Sequence, residues 1–184
     1  MSIRAICLGA AAAALLCGCS TTVVCDEPDN VAIAEALLAH VRGTDVQIVE
    51  GAWKDEAFTA ECVIKCDGEE FTAVLLAPQM RLATLTLRRP HVLHWERVPQ
   101  IPAMLDPEYV MFDLALVILP TDALSRSLDD GFKVSETADG RRRMVLDGDG
   151  ELHSVRQTLP DGGVYFRNVK YGYEITVRTM SHED

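Results

Sequence analysis

Basic residues are scarce in this sequence of 184 residues. Lys and Arg total 17 against 28 Asp and Glu, which gives a formal net charge of −11 at pH 7. An acidic surface repels the phosphates of nucleic acids and the headgroups of anionic lipids. We therefore expect no nucleic-acid partner, and any membrane attachment would have to come from acyl chains rather than from a polybasic patch.

The sequence also lacks the motifs that usually accompany catalysis or metal binding. It has no G-x-S-x-G elbow, no P-loop, no H-E-x-x-H and no G-x-G-x-x-G. His91 and His94 are three apart in a predicted strand, where an odd spacing sends side chains to opposite faces, so they cannot share a metal ion. The acidic segment 147–151 lacks the glycine and the glutamate that a calcium loop needs further along. The sequence therefore predicts no enzyme activity, no metal site and no other cofactor.

The N-terminus has the pattern of an export signal. Arg4 precedes an apolar run over residues 6–16 that is too short to span a bilayer stably. The run ends in Leu16-Cys17-Gly18-Cys19, which resembles the lipobox of bacterial lipoproteins: an aliphatic residue, two small residues and the cysteine that becomes lipidated. The resemblance implies that everything before Cys19 is removed and that Cys19 carries acyl chains, palmitate among them. The alternative is an ordinary signal peptide whose cysteines are incidental.

This interpretation divides the chain into three parts. Residues 1–18 are the signal peptide, residues 19–30 are the lipidated cysteine and a polar tether, and residues 31–184 are one domain. Arg4 is the only charged residue lost with the signal peptide, so the rest of the chain is one unit more negative than the whole. About 165 residues suffice for one domain with a substantial core. By the same lipobox resemblance, Ser20 in place of Asp implies the outer membrane of a Gram-negative host, on the side facing the periplasm.

Three cysteines remain once Cys19 is assigned to the lipid, namely Cys25, Cys62 and Cys66. Cys62 and Cys66 are four residues apart in a predicted strand, which separates their α-carbons by roughly 13 Å. A disulfide needs less than about 7 Å, so they should not bond to each other. A bridge from Cys25 to one of them and three separate thiols both remain open.

Periodicity predicts many short strands around a central helical segment. A helix over residues 31–42 opens the domain with the apolar stripe Ile33, Ala34, Leu37, Leu38 and Val41. Strands follow up to residue 97 and again from residue 132, where Arg141-Arg142-Arg143 is interpreted as a solvated strand start. Between them, over residues 107–129, lie a helix that is apolar nearly all round and a second, amphipathic helix. A helix that is apolar on every side must be buried. We therefore predict an α+β fold, a single curved antiparallel sheet with helices covering its concave hydrophobic side.

Asp113 is the polar exception inside the apolar helix. A buried carboxylate needs hydrogen-bond partners or a raised pKa. We expect a structural tie to a neighbouring element, through Asn168 or a tyrosine. The alternative is a polar contact at the mouth of a cavity.

Two segments carry a resemblance to a known family. They are Asp106-Pro107-Glu108-Tyr109 with the helix through Asp113-Leu114-Ala115-Leu116 to Pro120, and Asn168 with Tyr171-Gly172-Tyr173. They resemble a family of bacterial lipoproteins of unassigned function, often encoded in aryl polyene clusters, which is similar to the lipoprotein receptor LolB and its periplasmic relative LolA. The resemblance covers most of the chain after Cys19 and departs at Ala115, where glutamine is expected. It implies an incomplete β-barrel whose hydrophobic concave side accepts acyl chains.

The resemblance also implies a function and a set of site residues. The protein is expected to bind or hand over a lipid-like ligand at the outer membrane, such as an acyl chain, the lipid of another lipoprotein or an aryl polyene lipid. The alternative is a structural or assembly lipoprotein that contacts an envelope protein and holds no ligand. An apolar pocket of more than about 300 Å³ beneath the helices favours the first, and a solid core with an exposed apolar patch favours the second. The residues expected at the cavity or its mouth are Met111, Phe112, Asp113, Leu114, Ala115, Leu116, Asn168, Tyr171 and Tyr173.

Overall fold

The computed structural model describes residues 19–25, 28–53, 56–99 and 106–183. The predicted signal peptide, with Leu16, Cys17 and Gly18 of the lipobox, lies outside the described residues, so its removal stays a prediction. In chain order the elements are β1 (Cys19–Val24), α1 (Pro28–His40), β2 (Gly43–Trp53), β3 (Glu56–Cys66), β4 (Glu70–Ala77), β5 (Met80–Arg88), β6 (Val92–Arg97), α2 (Pro107–Ile118), α3 (Thr121–Ser127), β7 (Lys133–Glu136), β8 (Arg142–Leu146), β9 (Leu152–Thr158), β10 (Val164–Asn168) and β11 (Tyr173–Glu183).

All eleven strands form one sheet in the order β1-β6-β5-β4-β3-β2-β11-β10-β9-β8-β7. Every neighbouring pair is antiparallel. Within the described residues β1 and β7 each have a single strand neighbour, so the sheet is open at both edges. The predicted fold class, one antiparallel sheet with helices on one side, is confirmed.

The sheet bends around α2. This helix contacts β6 near one edge and β9 near the other, and the two strands are seven places apart in the sheet order. A flat sheet would separate them by about 34 Å at about 4.8 Å per strand, whereas twelve helical residues span only about 18 Å. Both halves of the sheet therefore curve toward α2, which lies on the concave side, where α1 packs against both α2 and α3.

The predicted apolar stripe buries α1 against this concave side. Ile33, Ala34, Leu37, Leu38 and Val41 are all buried and belong to one core cluster. The helix begins three residues earlier than predicted, at a proline, which is favoured in a first helical turn because its missing N–H needs no partner there. It is followed by a glycine with φ of 75° that opens β2, a conformation that costs glycine little.

Two arginines from the sheet cap the C-terminal end of α2. The Arg143 guanidinium donates hydrogen bonds to the carbonyl oxygens of Leu116 and Leu119, and Arg156 Nε donates to the Val117 carbonyl at 2.8 Å. The last carbonyls of a helix lack partners within it, and positive charge there also complements the helix dipole. Burial lowers the pKa of Arg143 to about 10, so it stays charged at pH 7. Because Arg143 is 3 % exposed, the predicted solvated strand start is wrong for this residue.

The structure differs from the predicted polar tether at its first residues. Cys19 pairs with Arg97 and Val24 pairs with Val92, so β1 is an edge strand added to β6. Its two threonines and two valines are β-branched and favour extended backbone. The strand shows no apolar alternation because nearly all of its side chains are exposed. Backbone pairing with β6 therefore holds this segment, and that pairing leaves no periodic signal.

The cysteines at positions 19, 25, 62 and 66 form no disulfide with one another. Cys62 and Cys66 lie on the same face of β3, four residues apart, which is too far for a bond along an extended strand. The prediction that they do not bond to each other is confirmed. Burial raises the pKa of Cys62 to about 12, so this side chain is a neutral thiol at physiological pH.

We expect the three buried thiols to react with a maleimide only after unfolding. Cys25, Cys62 and Cys66 are at most 8 % exposed, and modification needs both access and a thiolate. Mass spectrometry after brief treatment should find none of these residues modified in the folded protein and all three modified in denaturant. A Cys62–Cys66 disulfide, or an adduct at Cys62 under native conditions, would contradict the structure of β3.

Candidate binding cleft

The strand register determines which residues share an end of the sheet. Cys19 at the start of β1 pairs with Arg97 at the end of β6, and Arg97 also pairs with Ala83 in β5. Further across the sheet, Trp53 at the end of β2 pairs with Tyr173 at the start of β11. Because neighbouring strands alternate in direction, the β4–β5, β8–β9 and β10–β11 turns lie at this same end. We call it the Cys19 end.

A cleft of about 270 Å³ opens at the Cys19 end. It lies between the first turns of α1 and α2, the loop from α3 to β7, the start of β9 and the β10–β11 turn. The cleft is lined by Asn30, Ile33, Asp106, Glu108, Tyr109, Phe112, Leu128, Asp129, Phe132, His153, Lys170 and Tyr171.

Aromatic rings make up much of the cleft wall. Phe112 and Phe132 are tilted against each other, and both meet the His153 ring edge to face, with centroids 5.5 to 5.7 Å apart. Tyr109 and Tyr171 form a second pair at 5.4 Å. Such tilted geometries are the favoured ones for aromatic pairs and contribute about 0.5–1.5 kcal/mol each beyond area burial. The wall is therefore apolar and rigid.

His153 is the one polar ring within this wall. It is 4 % exposed, and its Nδ1 has no hydrogen-bond partner among the described residues. Burial, together with the nearby charge of Lys170, holds the pKa of His153 below its usual range, so the ring is neutral at pH 7. An unsatisfied buried polar atom costs about 1–3 kcal/mol. A group in the cleft that satisfies this nitrogen would recover that cost.

The α2 side of the cleft is held by a tie that we call the Asp113 tie. Asn168 Nδ2 donates to Asp113 Oδ1 at 2.8 Å, and the Tyr173 hydroxyl donates to the other carboxylate oxygen. Asn168 Oδ1 in turn accepts the Tyr171 N–H at 2.9 Å. Burial raises the pKa of Asp113 to about 6, against the opposing effect of these two hydrogen bonds, and it also raises the pKa of Tyr173. The tie joins α2 to β10 and β11 and positions Tyr171 in the cleft.

A further polar contact closes the cleft from the α1 side. Asn30 Nδ2 donates to Glu108 Oε1 at 2.8 Å, which joins the first turns of α1 and α2. The first turn of α2 is itself capped, because the Asp106 side chain accepts the Glu108 N–H at 2.9 Å. An N-cap of this type contributes about 1 kcal/mol. Both helix starts are therefore fixed at the cleft.

The structure brings together some of the predicted site residues and separates others. Phe112 and Tyr171 line the cleft. Asp113, Asn168 and Tyr173 form the predicted structural tie, while Leu114 is half-buried against the core. The remaining three are at most 1 % exposed in the core, namely Met111, Ala115 and Leu116. These three are therefore core residues, and they do not line the cleft.

Several cleft residues were not predicted. Tyr109, Phe132, His153 and Lys170 come from four different segments, and no motif links them. The cleft forms only because the curved sheet brings β9 and the β10–β11 turn against the start of α2. A long-range arrangement of this kind leaves no local pattern in the chain.

Beneath the helices the concave side is filled. Leu37 of α1, Met111 and Leu116 of α2, Leu85 of β5 and Phe166 of β10 are each at most 1 % exposed and belong to one core cluster. A second hollow of about 330 Å³ lies on the other face of the sheet, where Thr22, Thr86, Arg88, Val92 and His94 line it. Neither hollow is the apolar pocket of more than about 300 Å³ that the ligand hypothesis predicts beneath the helices.

Among the residues that the structure describes, no group of three or more His, Cys, Asp or Glu side chains is placed to hold a metal ion. His91 instead contacts Glu35, and His94 contacts Thr22. No helix in the described part of the chain is both long enough and apolar enough to cross a membrane.

Comparison with known proteins gives one family and several similar structures. The family model described as "Protein of unknown function (DUF3261)" matches residues 44–181. No curated protein has significant sequence similarity to the chain. A solved structure of a putative outer membrane lipoprotein-sorting protein domain from Vibrio parahaemolyticus is 10% identical with a TM-score of 0.44, and the match covers 86% of this chain and 92% of that one.

Two further solved structures are similar at the same level. A LolA superfamily protein from Nitrosomonas europaea is 7% identical with a TM-score of 0.38, and the match covers 85% of this chain and 94% of that one. A DUF1329 family protein from Desulfovibrio piger is 8% identical with a TM-score of 0.43, covering 84% and 90%. At such low identity these structures carry no information on ligand or partner.

Proposed function

This chain belongs to the family described as "Protein of unknown function (DUF3261)", and we propose that it is a lipid-anchored envelope protein that binds a lipid-like ligand in the cleft at the Cys19 end. Acyl chains on Cys19 would hold it in the outer membrane, facing the periplasm. The ligand would be an acyl chain, the lipid of another lipoprotein or an aryl polyene lipid. Binding would involve no covalent chemistry.

The observation that carries this proposal is the aromatic wall with an unsatisfied nitrogen inside it. Binding sites for small molecules are typically apolar and aromatic, with a few fixed polar groups that orient the ligand. Phe112, Phe132 and Tyr171 supply apolar wall, and His153 supplies the polar group. Because His153 is neutral, it can form a hydrogen bond with an uncharged ligand without introducing charge.

The size and charge of the cleft restrict the kinds of ligand that it can bind. Its volume of about 270 Å³ lies just under the range of about 300–1,000 Å³ for drug-sized molecules, so it fits one end of a lipid and not a whole lipid. Three carboxylates, those of Asp106, Glu108 and Asp129, face a single lysine, Lys170, around it. A neutral or zwitterionic group is therefore favoured over the carboxylate of a free fatty acid.

We expect Tyr109→Glu to weaken binding of a neutral fluorescent lipid about tenfold, which corresponds to about 1.4 kcal/mol of lost apolar contact and added charge. Tyr109 is exposed and lies in the first turn of α2, where glutamate is well tolerated. The fold should therefore survive the change. Met180→Glu, at the opposite end of β11, is the matched control and should bind the probe like the wild type. Titration of protein lacking residues 1–19 would measure both affinities.

The filled core favours a second candidate, a structural or assembly lipoprotein that contacts an envelope protein and holds no ligand. Native mass spectrometry of protein purified without added lipid distinguishes the two candidate functions. Copurifying lipid that Tyr109→Glu releases supports the binding function. A protein that purifies empty and binds no neutral or fatty-acid probe at tens of micromolar leaves the assembly function in its place.

A further inference from the structure

Exposed apolar side chains are concentrated at one end of the molecule. Among the described residues, eight large apolar side chains are exposed, and six of them lie at the Cys19 end. We call these six the apolar rim: Phe58, Met80, Tyr109, Leu152, Val169 and Tyr171. Large exposed apolar patches are uncommon on proteins that contact only water, and they mark interaction surfaces.

The register places the rim residues together although they come from different parts of the chain. Met80 opens β5, the second neighbour of β1, and Leu152 opens β9. Phe58 pairs with Gly51 near the end of β2. Val169 and Tyr171 lie in the β10–β11 turn, beside Tyr109 at the start of α2. The rim therefore follows the whole curved end of the sheet.

The opposite end exposes fewer large apolar side chains. Aspartates that accept backbone N–H bonds within their own turns lie at both ends: Asp67, Asp139 and Asp161 at this end, and Asp147 in the β8–β9 turn at the Cys19 end. The two exposed apolar residues outside the rim lie in this half of the molecule, Val24 at the end of β1 and Met180 toward the end of β11. The exposed apolar side chains are therefore distributed unequally along the strands, six at the Cys19 end and two in the other half.

We infer that the apolar rim is a membrane-contacting surface that rests on the headgroup region of a neutral lipid bilayer. The inference rests on the proposed lipid anchor, because β1 begins at Cys19 itself and no tether separates an acylated Cys19 from the sheet. Acyl chains leaving Cys19 would pull this end against the bilayer. The acidic net charge of −11 disfavours anionic lipids.

The composition of the rim fits that position. Tyr109 and Tyr171 are of the residue type that concentrates at the membrane–water interface, where the ring is apolar and the hydroxyl is hydrated. Lys170 lies between Val169 and Tyr171, with its ammonium 6.0 Å from the Tyr171 ring centroid. A lysine stem lies along apolar surface while its charge reaches the headgroups.

This orientation has a consequence for the cleft. Tyr109 and Tyr171 belong to the rim and also line the cleft. The cleft would then open at the bilayer surface, and a lipid end could pass between bilayer and cleft without crossing water. Apolar area would stay buried throughout that transfer, which removes its main free-energy cost.

The test compares two rim positions with two positions at the opposite end. Met80→Cys and Leu152→Cys report on the rim, and Val24→Cys and Met180→Cys report on the other half. The full-length, lipidated protein carries a fluorophore at each engineered cysteine in turn, because the native thiols are buried. It is reconstituted into phosphatidylcholine vesicles with or without spin-labelled lipid, which quenches only on contact.

We expect quenching of about threefold or more at Met80 and Leu152 and almost none at Val24 and Met180. The reason is distance, since seven residues of β11 separate Tyr173 from Met180, which is about 23 Å along a strand. Equal quenching at all four positions, or none at the rim, overturns the inference even if the protein stays anchored. Protection of the rim in cells but not in vesicles also overturns it and indicates a protein partner.

The anchor is judged separately. Intact-mass measurement of the same preparations shows whether Cys19 carries acyl chains. If it does not, the anchor fails, and the same four positions are measured with vesicles added to protein lacking residues 1–19, from which the exposed Cys19 thiol is also absent. Rim quenching under those conditions still supports a membrane-contacting surface, and its absence overturns it.

Discussion

Replacing Cys19 with alanine should abolish labelling of the protein by palmitate and release it from membranes. The reason is chemical, since only a thiol can form the thioether to the glyceryl lipid that the lipobox resemblance implies. Each buried methylene contributes about 0.8 kcal/mol, so several acyl chains make attachment nearly permanent, and their removal leaves no comparable anchor. The acidic surface supplies no polybasic substitute. Metabolic labelling followed by membrane sedimentation would measure both effects.

Cys17→Ala is the matched control for this experiment. Alanine is a small residue, so it satisfies the second lipobox position as Cys17 does, and labelling should be retained. Loss of labelling in both variants would point to a general failure of export. A Cys19→Ala protein that is still labelled and still sediments with membranes would show that the lipobox interpretation is wrong, while Cys19 would remain an exposed residue of an edge strand.

The parts of the fold that could be predicted are those with local periodicity. The stripe from Ile33 to Val41 predicted the buried face of α1, and the all-round apolar α2 predicted a helix inside the curve of the sheet. Strand β1 could not be predicted as such, because its backbone pairs with β6 more than 65 residues away while its side chains stay exposed. Apolar periodicity in a sequence reflects the burial of side chains. An edge strand whose side chains are almost all exposed therefore shows no such periodicity.

The candidate site divides in the same way. Asp113 was predictable because a carboxylate in an apolar helix must find partners, and its partners were expected to include Asn168 or a tyrosine. The role of Arg143 was not predictable, because a run of three arginines is typical of a solvated strand. Arg143 is buried only because the folded structure places the C-terminal end of α2 beside it. The position of the His153 ring was also not predictable, because its contacts with Phe112 and Phe132 depend on the curvature of the sheet.

Asp113→Leu should lower the free energy of unfolding by about 3 kcal/mol at pH 7, because it leaves Asn168 Nδ2 and the Tyr173 hydroxyl without their acceptor and each unsatisfied buried donor costs about 1–3 kcal/mol. For a domain of this size that corresponds to a melting temperature about 10 °C lower. Asp113→Asn is the matched control. Its amide can accept from Asn168 and donate to the Tyr173 oxygen, so the tie and most of the stability should survive.

The two variants also isolate the pH dependence of the tie. Burial raises the folded-state pKa of Asp113 to about 6, above the 3.8 of an ordinary aspartate, so the folded protein holds this proton more tightly than the unfolded chain does. The part of the stability that comes from this tighter proton binding is therefore complete below about pH 4 and is lost as the pH rises through about 6, whereas Asp113 still accepts its two hydrogen bonds at pH 7. The full size of this part is about 3 kcal/mol, at about 1.4 kcal/mol for each pKa unit, and about 2 kcal/mol of it is lost between pH 4 and pH 7. Other carboxylates, such as Glu35, have lowered pKa values and act in the opposite direction, which is why the wild type alone cannot reveal the effect.

Urea unfolding of wild type and Asp113→Asn at pH 4 and pH 7 measures the difference directly. Asp113→Asn cannot titrate, so relative to the wild type it should be more stable at pH 7 than at pH 4 by that amount. Between pH 4 and pH 7 the free energy of unfolding of Asp113→Asn should therefore fall less, or rise more, than that of the wild type. The dependence on urea concentration should be the same for both proteins. Equal pH profiles for the two proteins would mean that the pKa of Asp113 is not raised in the folded state, so that burial does not outweigh the two hydrogen bonds of the tie.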